Sequence, residues 1–128
     1  MSDKFIVEII TPDNSILKSE VKEVTIPSYE GQMGILKDHI SLITFLRPGI
    51  ISIQGQDEKK YYVEEGTVEF SNNNLLILTS TAKELSKFDK KSLEILLKQT
   101  QENLINSPTD KEKYFLSHKI ETLKEINR

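Results

Sequence analysis

Over the first part of the chain, apolar residues recur at every second position. Phe5, Val7 and Ile9 follow this spacing, and so do Tyr61 and Val63. Period-two spacing with many β-branched and aromatic residues is typical of β-strands. Further pairs with the same spacing are Val24 with Ile26, Ile51 with Ile53, Val68 with Phe70, and Leu76 with Leu78. The pattern predicts a series of short strands between residues 4 and 79.

Turn-forming residues separate these segments. Pro, Gly, Asn and Asp either fix φ, tolerate a positive φ or bond to their own backbone, so they favour turns. The predicted breaks fall at 11–14, 31–34, 48–49, 55–57, 66 and 72–74. Many short strands at this spacing predict an antiparallel sandwich or barrel.

The hydrophobic period changes after about residue 85. One apolar stripe has the helical spacing i, i+3, i+4, i+7 and i+11, with polar residues opposite. Its members are Leu93, Leu96, Leu97, Thr100 and Leu104. Asp89 precedes the stripe and is a suitable N-cap. A helix is therefore predicted from about residue 90.

A second helix is predicted after Pro108. Proline lacks an N–H donor and disfavours a helical residue before it, so the first helix should end there. Thr109 and Glu112 have the spacing of a capping box, in which each side chain bonds the other residue's backbone N–H. The second helix should reach about Asn127, with an apolar face formed by Leu116, Ile120 and Leu123. The predicted organisation is an all-β sandwich at 1–84 and a helical hairpin at 85–128.

The apolar residues at 35–36 and 40–46 are expected to lie mostly in the core of the sandwich, because apolar strand residues are usually internal. The hairpin is different, since two short amphipathic helices are not stable alone in water. Their apolar stripe must pack between them, against the sandwich or against another protein. A detachable element of this kind can serve as a binding arm.

Composition narrows the function further. The net charge is −3 and the pI about 5.5, whereas nucleic-acid-binding proteins usually carry a concentrated basic excess. No apolar run approaches the roughly 20 residues that span a bilayer, and no secretory signal is recognised at the start. The absence of cysteine excludes disulfides and thiolate sites. We expect a cytoplasmic protein whose membrane association, if any, runs through partners.

Candidate catalytic groups do not combine into a site. The chain has two histidines, His39 and His118, one in each part. Asp38, His39 and Ser41 are neighbours, but Asp38 and His39 would point to opposite faces of a strand, which disfavours a catalytic relay. Local hydrogen bonding is the alternative.

Two further motifs have simpler interpretations as turns. The adjacent carboxylates at 57–58 and 64–65 lie in or beside polar turns, which favours solvated side chains over a general acid–base pair. Residues 31–34 have the form G-x-x-G without a P-loop lysine or a dinucleotide fingerprint. No catalytic residue, cofactor or metal site is predicted.

The segment 27–49 reads PSYEGQMGILKDHISLITFLRPG. It resembles the epsilon subunits of bacterial F-type ATP synthases, which correspond to the mitochondrial delta subunit. The shared pattern is a proline, Glu-Gly-x-x-Gly-Ile-Leu, a histidine, and Leu-x-Pro-Gly before a strand. The segments 5–12, 63–70 and 75–82 also match, whereas Lys37 and Ile40 depart from the family's usual proline and small residue.

The resemblance implies a sandwich of about ten strands followed by a helical hairpin. It also implies a non-catalytic rotor subunit of the central stalk, packed on the gamma subunit and touching the ring of c subunits. Such a subunit couples proton-driven rotation to ATP synthesis in the catalytic head and can restrain ATP hydrolysis. Its expected location is the cytoplasmic face of the bacterial inner membrane, as a peripheral part of the complex.

The resemblance also implies roles for particular residues. Glu30, Gly31 and Gln32 match the loop that faces the c ring, while His39 and Leu42 match the gamma contact. Tail residues that would approach the alpha and beta subunits are Lys111, Lys113, Lys119 and Lys124. Acidic residues nearly balance these charges, so attraction to an acidic target should be weak and inhibition through the tail modest.

Some family members bind ATP through a motif Ile/Leu-Asp-x-x-Arg-Ala at the start of the first tail helix. Here the matching stretch, 88–93, has Ser92 and Leu93 in place of the arginine and alanine. A hydroxyl cannot replace an arginine fork at a phosphate or base. ATP sensing is therefore not expected.

Two other functions remain open from the residues alone. One is a free-standing β-sandwich binding module that grips an unrelated partner with its hairpin. The other is a small enzyme with a hidden pocket, which would require clustered titratable residues in a concave site. Binding to the gamma subunit, and to the c ring in membranes, separates the rotor subunit from the binding module. The sequence offers no cluster of titratable residues that would favour the enzyme.

Overall fold

The computed structural model describes residues 3–106 and 109–127. These residues form ten strands and then two helices, which confirms the predicted β-sandwich followed by a helical hairpin. The strands are β1 Phe5–Ile10, β2 Ser15–Val21, β3 Glu23–Ser28, β4 Gly31–Leu36, β5 Leu42–Leu46, β6 Gly49–Gln54, β7 Glu58–Val63, β8 Gly66–Ser71, β9 Asn74–Thr79 and β10 Ala82–Glu84. A single 3-10 turn, Leu85–Lys87, leads to α1 Lys90–Ile105 and α2 Asp110–Ile126.

The strands follow one continuous path that folds over on itself. The order is β10-β7-β6-β3-β5-β8-β9-β1-β2, and β4 pairs with β3 beside this path. Most neighbours are antiparallel, as predicted, but β1 and β9 are parallel, with Val7 opposite Leu75. Parallel neighbours need a long connection, and here the connection is most of the β region. Local strand patterns contain no information on this distant pairing.

The core lies between the two halves of the folded sheet. Phe5, Val7 and Ile9 point into it, as their spacing predicts, and so do Tyr61 and Val63. Other fully buried members are Val24, Ile26, Ile35, Leu46, Ile51, Val68, Phe70, Leu75 and Ile77. Phe5 and Phe70 meet edge to face with ring centroids 5.6 Å apart, a favourable aromatic geometry.

The predicted break at 31–34 is wrong, because these residues belong to β4. The turn lies one step earlier, at Tyr29 and Glu30. The Ser28 hydroxyl closes it by donating to the Gly31 carbonyl at 2.7 Å and accepting from the Glu30 N–H at 3.2 Å. Gly31 has φ of 113°, a conformation that favours glycine, so it ends the turn and starts the strand.

Gly49, at the Pro-Gly end of segment 27–49, packs against the first residue of the same segment. A Cβ at this position would overlap the ring of Pro27, which begins the same segment. The Arg47 N–H also donates to the Pro27 carbonyl at 3.0 Å. The two ends of the segment therefore pack directly against each other, and only glycine permits this approach.

The helices begin at the predicted caps. The Asp89 carboxylate accepts from the Lys91 N–H at 2.9 Å, and the Thr109 hydroxyl accepts from the Glu112 N–H at 3.1 Å. Such caps satisfy backbone donors that have no partner within the helix. α2 ends at Ile126, close to the predicted end. The predicted stop at Pro108 falls outside the described residues.

Candidate interaction surfaces

The helical hairpin packs on the outer surface of β6 and β7. Tyr61 and Val63 of β7 point into the sandwich core, so Tyr62 between them points outward. Tyr62 is nevertheless buried, because Leu93 of α1 and Leu123 of α2 lie over it. We call Tyr62, Leu93, Leu123 and their partly buried neighbours the covered face; those neighbours are Leu85, Phe88, Leu96, Leu97 and Ile126.

A polar contact joins α2 to Glu64, the residue that follows β7, next to this cluster. Lys119 Nζ lies 3.1 Å from Glu64 Oε1, and the two side chains are only 16% and 23% exposed. The nearby Tyr62 hydroxyl is buried without a hydrogen bond of normal geometry among the described residues. Burial, and then the Glu64 carboxylate, raise the pKa of Tyr62, so it stays neutral at physiological pH. Lys119 therefore helps to hold the hairpin on the sandwich.

The four lysines predicted to contact the catalytic head are thus in different environments. Lys111, Lys113 and Lys124 are exposed on α2, whereas Lys119 is engaged with Glu64. The first three are accessible to a partner while the hairpin is docked. Lys119 would have to leave Glu64 first.

A second contact joins α2 to the turn between β3 and β4. Tyr29 of that turn stacks on Tyr114 with centroids 5.5 Å apart, and Tyr114 meets His118 at 4.4 Å. Burial, and then the positive charge of Arg47, lower the pKa of His118, while Glu121 acts in the opposite direction. The hairpin is therefore attached along α2 by apolar, ionic and aromatic contacts.

The other half of the sandwich presents apolar side chains to solvent. Ile43 and Phe45 of β5 are 74% and 59% exposed, and Leu78 of β9 is 43% exposed. Phe45 is opposite Thr67 of β8, and Thr67 is opposite Leu78, so these side chains share one surface. Ile10 of β1 extends the row beyond Leu78. We call Ile43, Phe45, Leu78 and Ile10 the exposed apolar face.

This face corrects the expectation that residues 35–36 and 40–46 fill the core. Ile35 and Leu46 are buried, but Leu36 and Ile40 are exposed, as are Ile43 and Phe45. β5 is apolar on both of its faces, so spacing alone could not assign Ile43 and Phe45 to the outside. The sequence did contain one indication of this exposure: β5 has more apolar residues than a strand with a single buried face needs.

The residues matched to the gamma contact lie beside this face. Leu42 is half-buried and packs against the core, and the His39 ring meets Phe70 edge to face at 6.0 Å. Asp38 does not bond to His39. Instead its backbone N–H and carboxylate bond to the Asn73 side chain at 2.7 and 3.0 Å. These two hydrogen bonds fix the β4–β5 connection to Asn73, which is 35 residues away, so they are not the local bonds that the alternative predicts. A local bond is present at His39, whose Nδ1 lies 2.7 Å from the Ile40 carbonyl oxygen.

The residues matched to the c-ring-facing loop lie at the β3–β4 turn. Glu30 is exposed at its tip, and Gly31 and Gln32 begin β4. The hydrogen bonds of Ser28 hold the turn in one shape. The contact of these residues with the c ring stays a prediction.

The stretch that resembles a nucleotide motif is used for helix capping. The Ser92 hydroxyl donates to Asp89 Oδ2 at 2.7 Å, and this bond, together with the Lys91 N–H, lowers the pKa of Asp89. Both groups are therefore engaged locally. Within residues 3–106 and 109–127, no cluster of three His, Asp or Glu side chains could hold a metal ion. No helix among these residues is long and apolar enough to span a membrane.

Comparison with proteins of known identity agrees with the resemblance in segment 27–49. A curated ATP synthase epsilon chain from Pelagibacter ubique is 51% identical over 130 residues, covering 99% of this chain and all of that protein. The ATP synthase epsilon chain of Dichelobacter nodosus is 34% identical and covers 84% of this chain and 76% of its own length.

Solved structures share the fold. A chain in the cryo-EM structure of the Euglena gracilis mitochondrial ATP synthase superposes with a TM-score of 0.82 at 23% identity, over all of this chain and 84% of that one. A chain of the Tetrahymena thermophila mitochondrial ATP synthase, from its central stalk and c-ring, gives 0.65 at 15% identity over 96% of each. The family model for the β-sandwich domain of the ATP synthase delta/epsilon chain matches residues 4–85. The chain therefore belongs to the ATP synthase delta/epsilon chain family.

Proposed function

We propose that this protein is a non-catalytic rotor subunit of the central stalk of an F-type ATP synthase, with the exposed apolar face bound to the gamma subunit. The observation that carries the proposal is the exposure of Ile43, Phe45 and Leu78 on one surface. A contiguous exposed apolar patch on a soluble domain usually marks an interaction site. Membership of the family supports the gamma subunit as the partner that binds this patch.

The shape of the surface supports the same assignment. A depression of about 370 Å³ borders the exposed apolar face and is lined by Ile10, Pro12, Thr67 and Leu78, among others. A depression of this kind accepts an apolar side chain from a partner, as interaction hot spots commonly do. His39 and Leu42 lie beside β8 and extend the proposed contact toward the β4–β5 connection.

The β3–β4 turn is the proposed contact to the c ring. Its tip, Glu30, is exposed, and its backbone is fixed by Ser28 and Gly31. A subunit that transmits torque between a ring and a shaft needs both contacts on one rigid body. The proposed gamma and c-ring contacts are both on the sandwich, so proton-driven rotation would pass through it to the catalytic head.

Location and regulation follow from this role. The protein would be peripheral, on the cytoplasmic face of the bacterial inner membrane, and attached there only through the complex. Lys111, Lys113 and Lys124 would be the accessible tail contacts to the alpha and beta subunits, with Lys119 available after undocking. Acidic side chains on α2 nearly balance these charges, so tail inhibition of ATP hydrolysis would be modest.

Binding to purified gamma subunit tests the proposal. Phe45→Asp places a charge at the centre of the exposed apolar face and should weaken binding at least about 30-fold, as expected for a hot spot of about 2 kcal/mol. Ile95→Asp is the matched control, since Ile95 is 51% exposed on α1, away from this face. Equal affinity of both variants and the original chain, measured by calorimetry, would exclude this face as the gamma contact.

A second experiment addresses the tail. The ATPase rate of complexes with the full chain is compared with that of complexes whose chain ends before Asp89. A small increase on truncation, with proton pumping intact, is the expected result. Activation of several-fold would contradict modest inhibition through the tail.

A further inference from the structure

His118 lies in the contact between the hairpin and the sandwich. Its ring packs against Tyr114 of the same helix, and Tyr114 stacks on Tyr29 of the β3–β4 turn. The His118 side chain is 25% exposed. The stack of Tyr29 on Tyr114 forms only when α2 lies on the sandwich, whereas the contact of Tyr114 with His118 lies within α2. Docking therefore places the partly buried imidazole next to an aromatic pair and further from water than it is in the undocked helix.

The charges around His118 come from two elements. Arg47, in the connection between β5 and β6, repels a protonated imidazole across the contact. Glu121, on α2 itself, attracts it, but its carboxylate is 3.9 Å from Nδ1 and its side chain is 77% exposed. Solvent screens such a pair strongly. Lys119, the next residue along α2, is already neutralised by Glu64.

Glu121 is also independent of docking. It lies one helical turn from His118, so any attraction between them persists when the helix leaves the sandwich. Arg47 and burial, by contrast, act only in the docked form. A charged His118 is therefore less favourable in the docked form than in the undocked form.

We infer that His118 is a pH-sensitive latch, and that its protonation releases the helical hairpin from the sandwich. Docking favours the neutral imidazole, whose pKa is lowered by burial and by Arg47. In the undocked helix the pKa returns toward its ordinary value of about 6.5. The stabilisation of the docked form is complete above that value and is lost as the pH falls toward the lowered pKa.

For the assembled enzyme this inference rests on the proposed function, because only there would an undocked hairpin approach the catalytic head. Acidification would then raise the fraction of chains whose Lys119 is free of Glu64. A change in pH can shift the docking equilibrium only through a group that binds protons differently in the two forms. His118 is such a group within the physiological range.

The isolated full chain allows a test that does not depend on any partner. It has no cysteine, so Ser19→Cys in β2 and Gln101→Cys in α1, both exposed, accept a fluorescent donor and acceptor. The energy transfer should fall as the pH is lowered from about 8 to about 5, the range in which histidine titrates. The undocked fraction should rise several-fold, while β-sheet circular dichroism stays constant.

Two variants test whether His118 causes the pH-dependent change in energy transfer. His118→Gln keeps a polar side chain but cannot titrate, so energy transfer should become independent of pH in this range. His39→Gln is the matched control because it removes the other histidine, in the β4–β5 connection, and should leave the response intact. A response that persists in His118→Gln, or its absence in the original chain, would overturn the latch.

Proton NMR keeps the inference testable if His118→Gln undocks at every pH. The His118 ring signal should titrate below the ordinary histidine range in the original chain, and closer to that range in Arg47→Gln. Titration of His118 at or above its ordinary pKa would overturn the inference. Loss of gamma binding in the Phe45→Asp experiment addresses the proposed function separately, since it involves neither His118 nor the hairpin.

Discussion

The sandwich has two apolar outer surfaces, one buried under the helical hairpin and the other exposed to solvent. On the covered face, Tyr62 is 2% exposed because α1 and α2 lie over it. On the exposed apolar face, Ile43 and Phe45 face solvent, and no described residue packs over them to bury them. Both surfaces arise in the same way, from strands that are apolar on the side away from the core. The helical hairpin covers one of them, and the other is exposed to solvent.

The two faces are expected to contribute to different properties: the covered face to stability and the exposed apolar face to binding. Apolar surface removed from water contributes roughly 25 cal/mol per Å² to folding, but only where the chain itself buries it. Substitutions on the covered face should therefore change the free energy of unfolding or docking. Substitutions on the exposed apolar face should change the affinity for a partner instead.

The largest effect is expected for Leu123→Ala on the covered face. Leu123 is fully buried, and truncation of such a side chain costs about 2–5 kcal/mol. Most of this loss should appear as undocking of the hairpin, since Leu123 contacts Tyr62 and Leu93 rather than the sandwich core. Urea titration followed by energy transfer measures it, with Ile95→Ala as the exposed control. Equal stability of the two variants would show that the hairpin is not held by this cluster.

A smaller effect is expected for the pair of Lys119 and Glu64. A double-mutant cycle with Lys119→Met and Glu64→Gln should give a coupling of up to about 1 kcal/mol, because the pair is only partly exposed to solvent. The coupling should decrease at high salt to the extent that solvent reaches the pair. A value indistinguishable from zero at low salt would remove the ion pair from the docking contacts.

The cap of α1 predicts a pH dependence. The Ser92 hydroxyl and the Lys91 N–H lower the pKa of Asp89, so the stabilisation is present above the ordinary aspartate pKa and lost as the pH falls through the lowered one. Asp89→Asn should retain the cap without this pH dependence, and Asp89→Ala should lose both. Helical circular dichroism at acidic and neutral pH distinguishes the variants. Identical acid responses in all three chains would contradict the assignment.

The smallest change in stability is expected on the exposed apolar face. Ile43→Ser should alter the free energy of unfolding by no more than about 0.5 kcal/mol, because Ile43 is already in contact with water. The same substitution should weaken binding to the gamma subunit. Marked destabilisation of the isolated chain would mean that Ile43 contributes to folding, and the contrast between the two faces would fail.

The sequence pattern correctly predicted the features that depend on residues close together in the chain. The spacing of Phe5, Val7 and Ile9 gave a strand with one buried face, and Asp89 and Thr109 capped the helices at the expected residues. These features depend on neighbours within a few positions. They are therefore readable from a single sequence.

Features that depend on distant residues were not predictable in this way. Tyr62 is buried only because the hairpin returns over β7, and Ile43 and Phe45 are exposed because no helix among the described residues covers β5. The strand at 31–34 was hidden by two glycines, of which Gly31 ends the turn closed by Ser28 and Gly34 pairs with Thr25 inside the strand. The roles that the resemblance implies for Glu30, His39 and Leu42 stay predictions, because they depend on residues of other subunits.

The parallel pairing of β1 with β9 has a consequence for the newly made chain. During synthesis β1 appears first, yet one of its two neighbours, Asn74–Thr79, appears near the end of the β region. Until then one edge of β1 has exposed backbone donors and acceptors that can pair with another chain. Contacts between residues so far apart also slow folding. The nascent sandwich should therefore be most prone to aggregation just before β9 is complete, and a ribosome that stalls there would release a chain with an open edge.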